Sequence, residues 1–151
     1  RLIHYSLQGN HAHLIVEAQD RNALGRGMKA IGSRLARAVN RVTEHTGKVI
    51  AERYHHRVLS TPKEVRHALR YVLLNAQAHV KRVGKGVMRA VRFDPASSAQ
   101  WFDGWKRGLP LTRAASGVGS LAPRPVARAR LWLLTAGWRR HGLLDPADVP
   151  G

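Results

Sequence analysis

Two short apolar runs near the start of the chain, residues 2–7 (LIHYSL) and 13–18 (HLIVEA), flank Gln8-Gly9-Asn10-His11. That spacing predicts a β-hairpin whose turn is carried by Gly9 and Asn10. A two-stranded hairpin is marginal in water on its own, so the sequence demands that this one join a larger sheet. Residues 53–59 (RYHHRVL) offer a further strand.

Between them the apolar spacing changes from two to between three and four. Asp20 stands as an N-cap before a helix expected over roughly 21–46, ended by Gly47. Leu24, Met28, Ile31, Leu35, Val39 and Val42 follow steps of 4, 3, 4, 4 and 3 and form one apolar stripe. Arg26, Lys29, Arg34, Arg37 and Arg41 fall on the opposite side with no acid among them. Such a face is either a solvated surface or a phosphate-contacting one.

A second helix opens at Thr61-Pro62-Lys63-Glu64. Thr61 caps it, Pro62 takes the first helical position, and Glu64 closes a capping box. Val65, Leu69, Val72, Ala76 and Val80 give its buried stripe, and Gly84 and Gly86 mark its end. Residues 94–123, rich in Pro, Gly and Ser, read as a loop anchored on the domain by Trp101, Phe102 and Trp105. A last helix is expected over roughly 125–141, with Ala127, Leu131, Leu134 and Trp138 on one side. The expected class is α+β, divided into a domain over 1–92 and a loop-rich extension with one helix over 93–151.

Composition narrows what such a chain can do. Lys and Arg number 26 against 9 acids, a formal net charge of +17. Long-range attraction to polyanions follows, so we expect a nucleic-acid partner whose affinity falls steeply with salt. The chain contains no cysteine, which excludes disulfides, thiolate zinc sites and cysteine nucleophiles. A bound metal would rest on histidine, carboxylate or amide ligands, pointing to a harder divalent ion. No apolar run approaches the ~20 residues that span a bilayer, and no signal peptide is visible. A membrane partner is therefore not expected.

Two residue pairs could carry chemistry. His11 and His13 flank Ala12 at the start of a strand, where residues two apart point the same way. Two imidazoles could hold one metal ion between them. Alone the motif is weak, since shuffling this composition yields on the order of half of one such pair by chance; surface or turn histidines are the alternative. Tyr71 and Asn75, four apart on the second helix, stack on one face at the border of its apolar stripe. Asn75 offers an amide oxygen to a metal and Tyr71 a nucleophilic hydroxyl. The alternative for Tyr71 is a boundary residue with its hydroxyl in water.

Taken together these blocks resemble a known family. NHAHLIVE looks like the His-hydrophobic-His signature of the single-tyrosine HUH transposases, in particular the branch called REP-associated tyrosine transposases. ERYHHRVLSTPKEVRHALRYVLLNAQAH is similar to that branch's later block, a strand followed by a capped helix bearing the catalytic Tyr and, four residues on, an Asn or Gln. The resemblance covers roughly residues 2–80. Ser97-Ser98-x-x-Trp101-Phe102 resembles the following tail more loosely, and Ala76-Gln77 departs from the Pro-Val common in the family.

The resemblance implies an antiparallel sheet, a ferredoxin-like or RRM-like HUH core, packed by helices on one face. It implies His11, His13 and Asn75 as ligands of Mg²⁺ or Mn²⁺ and Tyr71 as nucleophile. It also implies single-stranded, hairpin-forming DNA as substrate and a bacterial, cytoplasmic, nucleoid-associated setting. The chain begins at Arg1, already in a strand, so the family's preceding strand and helix are expected to be missing. A homodimer stays open, because the Tyr71 helix could serve its own site or a partner subunit's.

The expected chemistry is cleavage and rejoining through a 5′-phosphotyrosine. A phenol ionises near ~10 and needs assistance as a nucleophile at neutral pH. The phosphotyrosine link would retain the bond energy, so rejoining needs no ATP, in keeping with the absence of a P-loop. Two readings compete with this one: a catalytically inert nucleic-acid-binding module on the same fold, and an HUH replication initiator or relaxase. Glu17, expected at the surface, could instead buttress a ligand. His55, His56, His67 and His79 read as structural or phosphate-contacting.

Overall fold

Strand β1 (Leu2–Leu7) and strand β2 (Ala12–Val16) pair antiparallel, with Ser6 opposite His13 and His4 opposite Ile15. The Gln8 N–H donates to the His11 carbonyl at 2.8 Å and closes the predicted turn. In this computed structural model the backbone of residues 1–83, 93–106 and 123–148 is described, together with all of their side chains except those of 76–83. The chain divides into two compact units, one of Arg1 and Glu17–Val58, the other of Leu2–Val16 and Leu59–Gly151.

The first unit is built on helix α1 (Arg21–Thr43). Asp20 caps it as predicted, its carboxylate accepting from the Ala23 N–H at 2.6 Å and satisfying one of the orphan donors of the first turn. The helix stops three residues before the predicted end. Glu44 turns into the left-handed region at φ 53°, and the His45 N–H returns to the Asn40 carbonyl at 3.0 Å. Asn40 also donates to the Gly47 carbonyl at 3.0 Å, and Gly47, at φ +113°, supplies the backbone freedom the reversal requires.

Residues 53–59 form no strand. Their alternation would place Tyr54, His56 and Val58 on one face, and Val58 is 73 % exposed. Such a face has too little apolar surface to repay the ordering of a strand.

In the second unit the hairpin packs against helix α2 (Pro62–Val83). Its capping box forms as predicted. The Thr61 hydroxyl accepts from the Glu64 N–H at 3.2 Å, and the Glu64 carboxylate accepts from the Thr61 and Ser60 N–H groups at 3.1 and 2.9 Å. Val65, Leu69 and Val72 are buried on its inner face together with Leu73 and Leu74, which the predicted stripe omitted. The side chains of Ala76 and Val80 and the stop at Gly84 and Gly86 lie outside the described residues, as does 107–122 of the predicted loop.

The rest of the core comes from the C-terminal half. Ala99, Phe102, Trp105, Trp138 and Leu144 join Ile3, Ile15 and the α2 residues in one cluster. Residues 96–98 run along the free edge of β1: Leu7 N–H reaches Ala96 O and Ser98 N–H reaches Tyr5 O, both at 2.9 Å. Ala127 N–H donates to Leu2 O at 2.9 Å. The described residues hold a two-stranded sheet, and these edge contacts with α2 give the hairpin the support it could not find alone. The class is α+β.

The predicted helix over 125–141 shrinks to a short helix α3 (Trp132–Thr135) and a 3₁₀ turn over Gly137–His141. Pro123 and Pro125 disfavour helix at its start. In 126–130, Val126 is buried and Ala127 and Ala129 pack against the core while Arg128 and Arg130 are exposed. The Ala-Arg alternation is an extended segment's period of two.

Phe102, Trp105 and Trp138 meet around Gly104, with Phe102 edge-on to Trp105 at 5.0 Å between centroids. A Cβ at Gly104 would lie against the rings of Trp138 and Phe102 closer than any normal contact. Gly104→Ala should therefore cost about 1–3 kcal/mol, read as a lower urea midpoint with unchanged slope. An unaltered midpoint would mean the aromatic cluster opens freely.

Candidate active site

The period of two along β2 settles where the histidine pair points. His13 lies within the strand opposite Ser6, and His11 precedes it by two, so both imidazoles project to the same side. Their Nε2 atoms are 3.0 Å apart, with ring centroids 4.7 Å apart. Tyr71 reaches the same point from α2. Its ring meets that of His13 edge-on, at 4.9 Å between centroids and 76° between planes, and its hydroxyl lies 3.5 Å from His13 Nε2. That separation is at the long end for a hydrogen bond.

Packing explains the meeting. Val65, Leu69 and Val72 hold α2 on the hairpin, while Tyr71, on the edge of that buried face, is 46 % exposed. The hydroxyl is thus fixed by a buried helix and still open to a substrate.

Asn10, which the motif reading used only as a turn former, also touches the histidine pair. Its Oδ1 lies 2.7 Å from His11 Nδ1. The ring N–H donates there, which leaves the lone pair of His11 on Nε2. His13 can then close the pair as an Nε2–H donor. In its other tautomer two lone pairs face each other, an arrangement that needs a cation between them. Burial, and next the neighbouring His11, lower the pKa of His13. The ring therefore stays neutral, the form that binds metal, to lower pH than a free histidine.

The residues present fit a divalent ion. Two adjacent positions of an octahedron with ~2.1 Å bonds are about 3.0 Å apart, the separation seen between the two Nε2 atoms. Among the described residues no group of three or more His, Asp or Glu side chains could hold a metal. The amide type predicted from the sequence is represented by Asn75. Asn75, one turn beyond Tyr71 and 6 % exposed, shares its helix face by periodicity. Ring contacts join His11, His13 and Tyr71, whereas Asn75 is placed by the helix alone.

The five predicted cations, Arg26, Lys29, Arg34, Arg37 and Arg41, are all exposed on α1, within the first unit. Glu17, expected at the surface, is instead 6 % exposed, with Arg1 Nη1 3.9 Å from its carboxylate. His55, His56 and His67 are exposed, and the His79 side chain lies outside the described residues.

Among the described residues the buried histidine is His4, which sequence reasoning passed over. His4 is 5 % exposed, its Nδ1 3.1 Å from the Ser98 hydroxyl and its ring edge-on to Phe102. No local signal marks it, because Ser98 and Phe102 lie more than ninety positions away. No helix among the described residues is long and apolar enough to cross a membrane. Comparison with protein-family models, curated proteins and solved structures finds no match.

Proposed function

We propose that this protein cleaves and rejoins single-stranded DNA, with Tyr71 as nucleophile in an HUH-type core and hairpin-forming DNA as substrate. The observation that carries the reading is the convergence of His11, His13 and Tyr71: two imidazole nitrogens 3.0 Å apart and a phenol hydroxyl 3.5 Å from one of them, brought together from 58 positions away. Surface histidines with a solvated tyrosine would have no reason to meet in this way.

His11, His13 and Asn75 would hold Mg²⁺ or Mn²⁺, which when bound withdraws charge from the phosphate and orients it. Tyr71 attacks phosphorus through its hydroxyl oxygen. The new O–P bond forms as the P–O3′ bond breaks. The phenol proton leaves to solvent, which reaches the half-exposed ring, and the departing 3′ oxygen takes a proton to become a free 3′-OH. The reverse attack by a 3′-OH restores a phosphodiester with no external energy source. His13 and Tyr71 meet within one chain, so the proposal is for action in cis.

Binding is the part of the reading that the charge supports. With +17 over 151 residues and five exposed cations on one helix, the DNA backbone is the natural partner. The test is incubation with 3′-labelled single-stranded hairpin DNA and Mn²⁺ or Mg²⁺, because the 5′-phosphotyrosine link retains the 3′ fragment. A labelled species that survives denaturing electrophoresis and disappears on proteolysis is expected, and EDTA should prevent it. Salt-sensitive binding with no such species would instead identify an inert binding module on this scaffold.

A further inference from the structure

Cations on this chain are put to two different uses. Arg139 lies 3.0 Å from the Asp103 carboxylate, and Arg66 donates from Nε to the Gly142 carbonyl at 3.0 Å. Both tie one part of the second unit to another. Arg26, Lys29, Arg34, Arg37 and Arg41 on α1 are exposed, and among the described residues no hydrogen bond or ion pair engages any of them. At about 3.6 residues per turn they fall within an arc of about 140°. Leu24, Met28, Ile31, Leu35 and Val39 occupy the opposite side and are half-buried.

That grouping works against the helix. Like charges three and four positions apart repel along a helix face. Such pairs occur at Arg26–Lys29, Arg34–Arg37 and Arg37–Arg41, and residues 21–43 contain no acid to offset them. The repulsion is relieved when a polyanion lies along the face.

The composition of the face selects the polyanion. Helix α1 contains no aromatic residue, so an unpaired base finds nothing there to stack on, whereas single-strand sites combine charge with rings. Exposed Ala30 and Ser33 lie within the cationic arc, and their short side chains let a phosphate backbone come close. From Arg26 to Arg41 the row runs about 22 Å along the helix. A base-paired stem presents one phosphate charge per about 1.7 Å of axis, twice the density of either strand alone, in an array that is already rigid. A single strand would have to be ordered along the same row at an entropic cost. An anionic lipid surface is the poorer partner, because an interfacial helix inserts its apolar face and here that face is already half-buried.

We propose that this face of α1 binds the phosphates of a base-paired DNA stem rather than those of an unpaired segment. The proposal rests on the nucleic-acid binding of the preceding reading and is independent of its cleavage chemistry.

Two fluorescent DNAs with equal numbers of phosphates test it, a blunt hairpin whose stem is longer than the cationic row and an oligothymidine that cannot pair. Binding to the intact chain is measured in EDTA between about 50 and 200 mM salt. The triple variant Arg34→Gln, Arg37→Gln, Arg41→Gln removes charge while keeping good helix formers. For the hairpin, the slope of log affinity against log salt should shrink by roughly 2.7, three phosphate contacts at about 0.9 each. Across that salt range the wild type should thus lose roughly 40-fold more affinity than the variant. For oligothymidine the slope should stay close to the wild-type value. An unchanged slope for the hairpin overturns the proposal, and so does an equal loss for both DNAs.

Should the variant fail to fold, chemical labelling of wild-type protein gives the answer. Acetylation of Lys29 should be suppressed by the hairpin and not by oligothymidine, with exposed Lys63 of α2 as the reference. Equal labelling of Lys29 with and without the hairpin overturns the proposal, as does binding to phosphatidylserine vesicles with none to the hairpin. Hairpin binding with an unchanged slope removes the α1 assignment alone, whereas absence of the covalent adduct removes only the cleavage chemistry. A wild type that binds neither DNA removes the stem assignment together with the binding on which it rests.

Discussion

Tyr71→Phe should reduce the denaturant-resistant protein–DNA species to background while leaving hairpin affinity nearly unchanged. The substitution removes one oxygen atom. The ring that meets His13 at 4.9 Å is retained, so the packing of α2 on the hairpin should survive. What is lost is the hydroxyl 3.5 Å from His13 Nε2, the only tyrosine oxygen placed at the imidazole pair among the described residues. The chain has two other tyrosines, Tyr5 and Tyr54. Burial, and then the charge of Asp94, raise the pKa of Tyr5, which makes it the poorer nucleophile. An adduct of undiminished yield in Tyr71→Phe, mapped by peptide sequencing to Tyr5 or Tyr54, would remove Tyr71 from the chemistry. His13→Ala separates the nucleophile from its surroundings. It deletes one of the two converging nitrogens, so adduct formation should fall similarly, and excess Mn²⁺ should rescue it poorly because one imidazole on an exposed turn cannot fix an ion.

Features set by neighbouring residues were legible in the sequence. Asp20 and the Thr61–Glu64 box act within four positions of themselves and are found as capping contacts. The same is true of the turn after Leu7 and of the common side shared by His11 and His13, since both follow from strand geometry alone. Features set by distant partners were not. Leu73 and Leu74 fall off the predicted stripe of α2 yet are buried, because the aromatic cluster of 99–105 and 138 adds a second covered side to the helix. Ala127, Leu131, Leu134 and Trp138 follow steps of 4, 3 and 4, which imitate a helix. The stronger signal was Ala127-Arg128-Ala129-Arg130, whose alternation is fulfilled when the Ala127 N–H bonds to Leu2.

The candidate site divides along the same line. Local geometry placed two imidazoles together and two α2 side chains on one face. That Tyr71 should meet His13 followed from the family resemblance and from no periodicity, since it depends on how α2 docks on the hairpin. Asn10 shows the opposite case. It adjoins His11 in sequence, and an amide preceding a His-x-His pair could have been read as a tautomer-fixing partner from the start.

Acid should destabilise the second unit through one buried ring, His4. Burial, and then the positive charge of Arg124, lower its pKa from 6.5 to about 4, with Asp103 opposing in part. In the unfolded chain the imidazole protonates near 6.5. Between about 4 and 6.5 the unfolded state therefore binds the extra proton and the folded state does not. The contribution of His4 is present in full above 6.5 and declines as the pH falls through that interval, by on the order of 3 kcal/mol at its lower end. That is a large part of the ~5–15 kcal/mol that holds a typical domain folded. His4→Asn preserves a polar atom near the position of Nδ1, within reach of the Ser98 hydroxyl that also accepts from the Tyr5 N–H, but cannot take up a proton. Urea unfolding at pH 7.5, 5.5 and 4.5 should show a marked loss for the wild type and a flatter profile for the variant. Subtracting the two removes what other groups contribute, including the repulsion that a +17 chain suffers as its acids protonate. Parallel profiles would mean that His4 is solvated and charged in the folded protein.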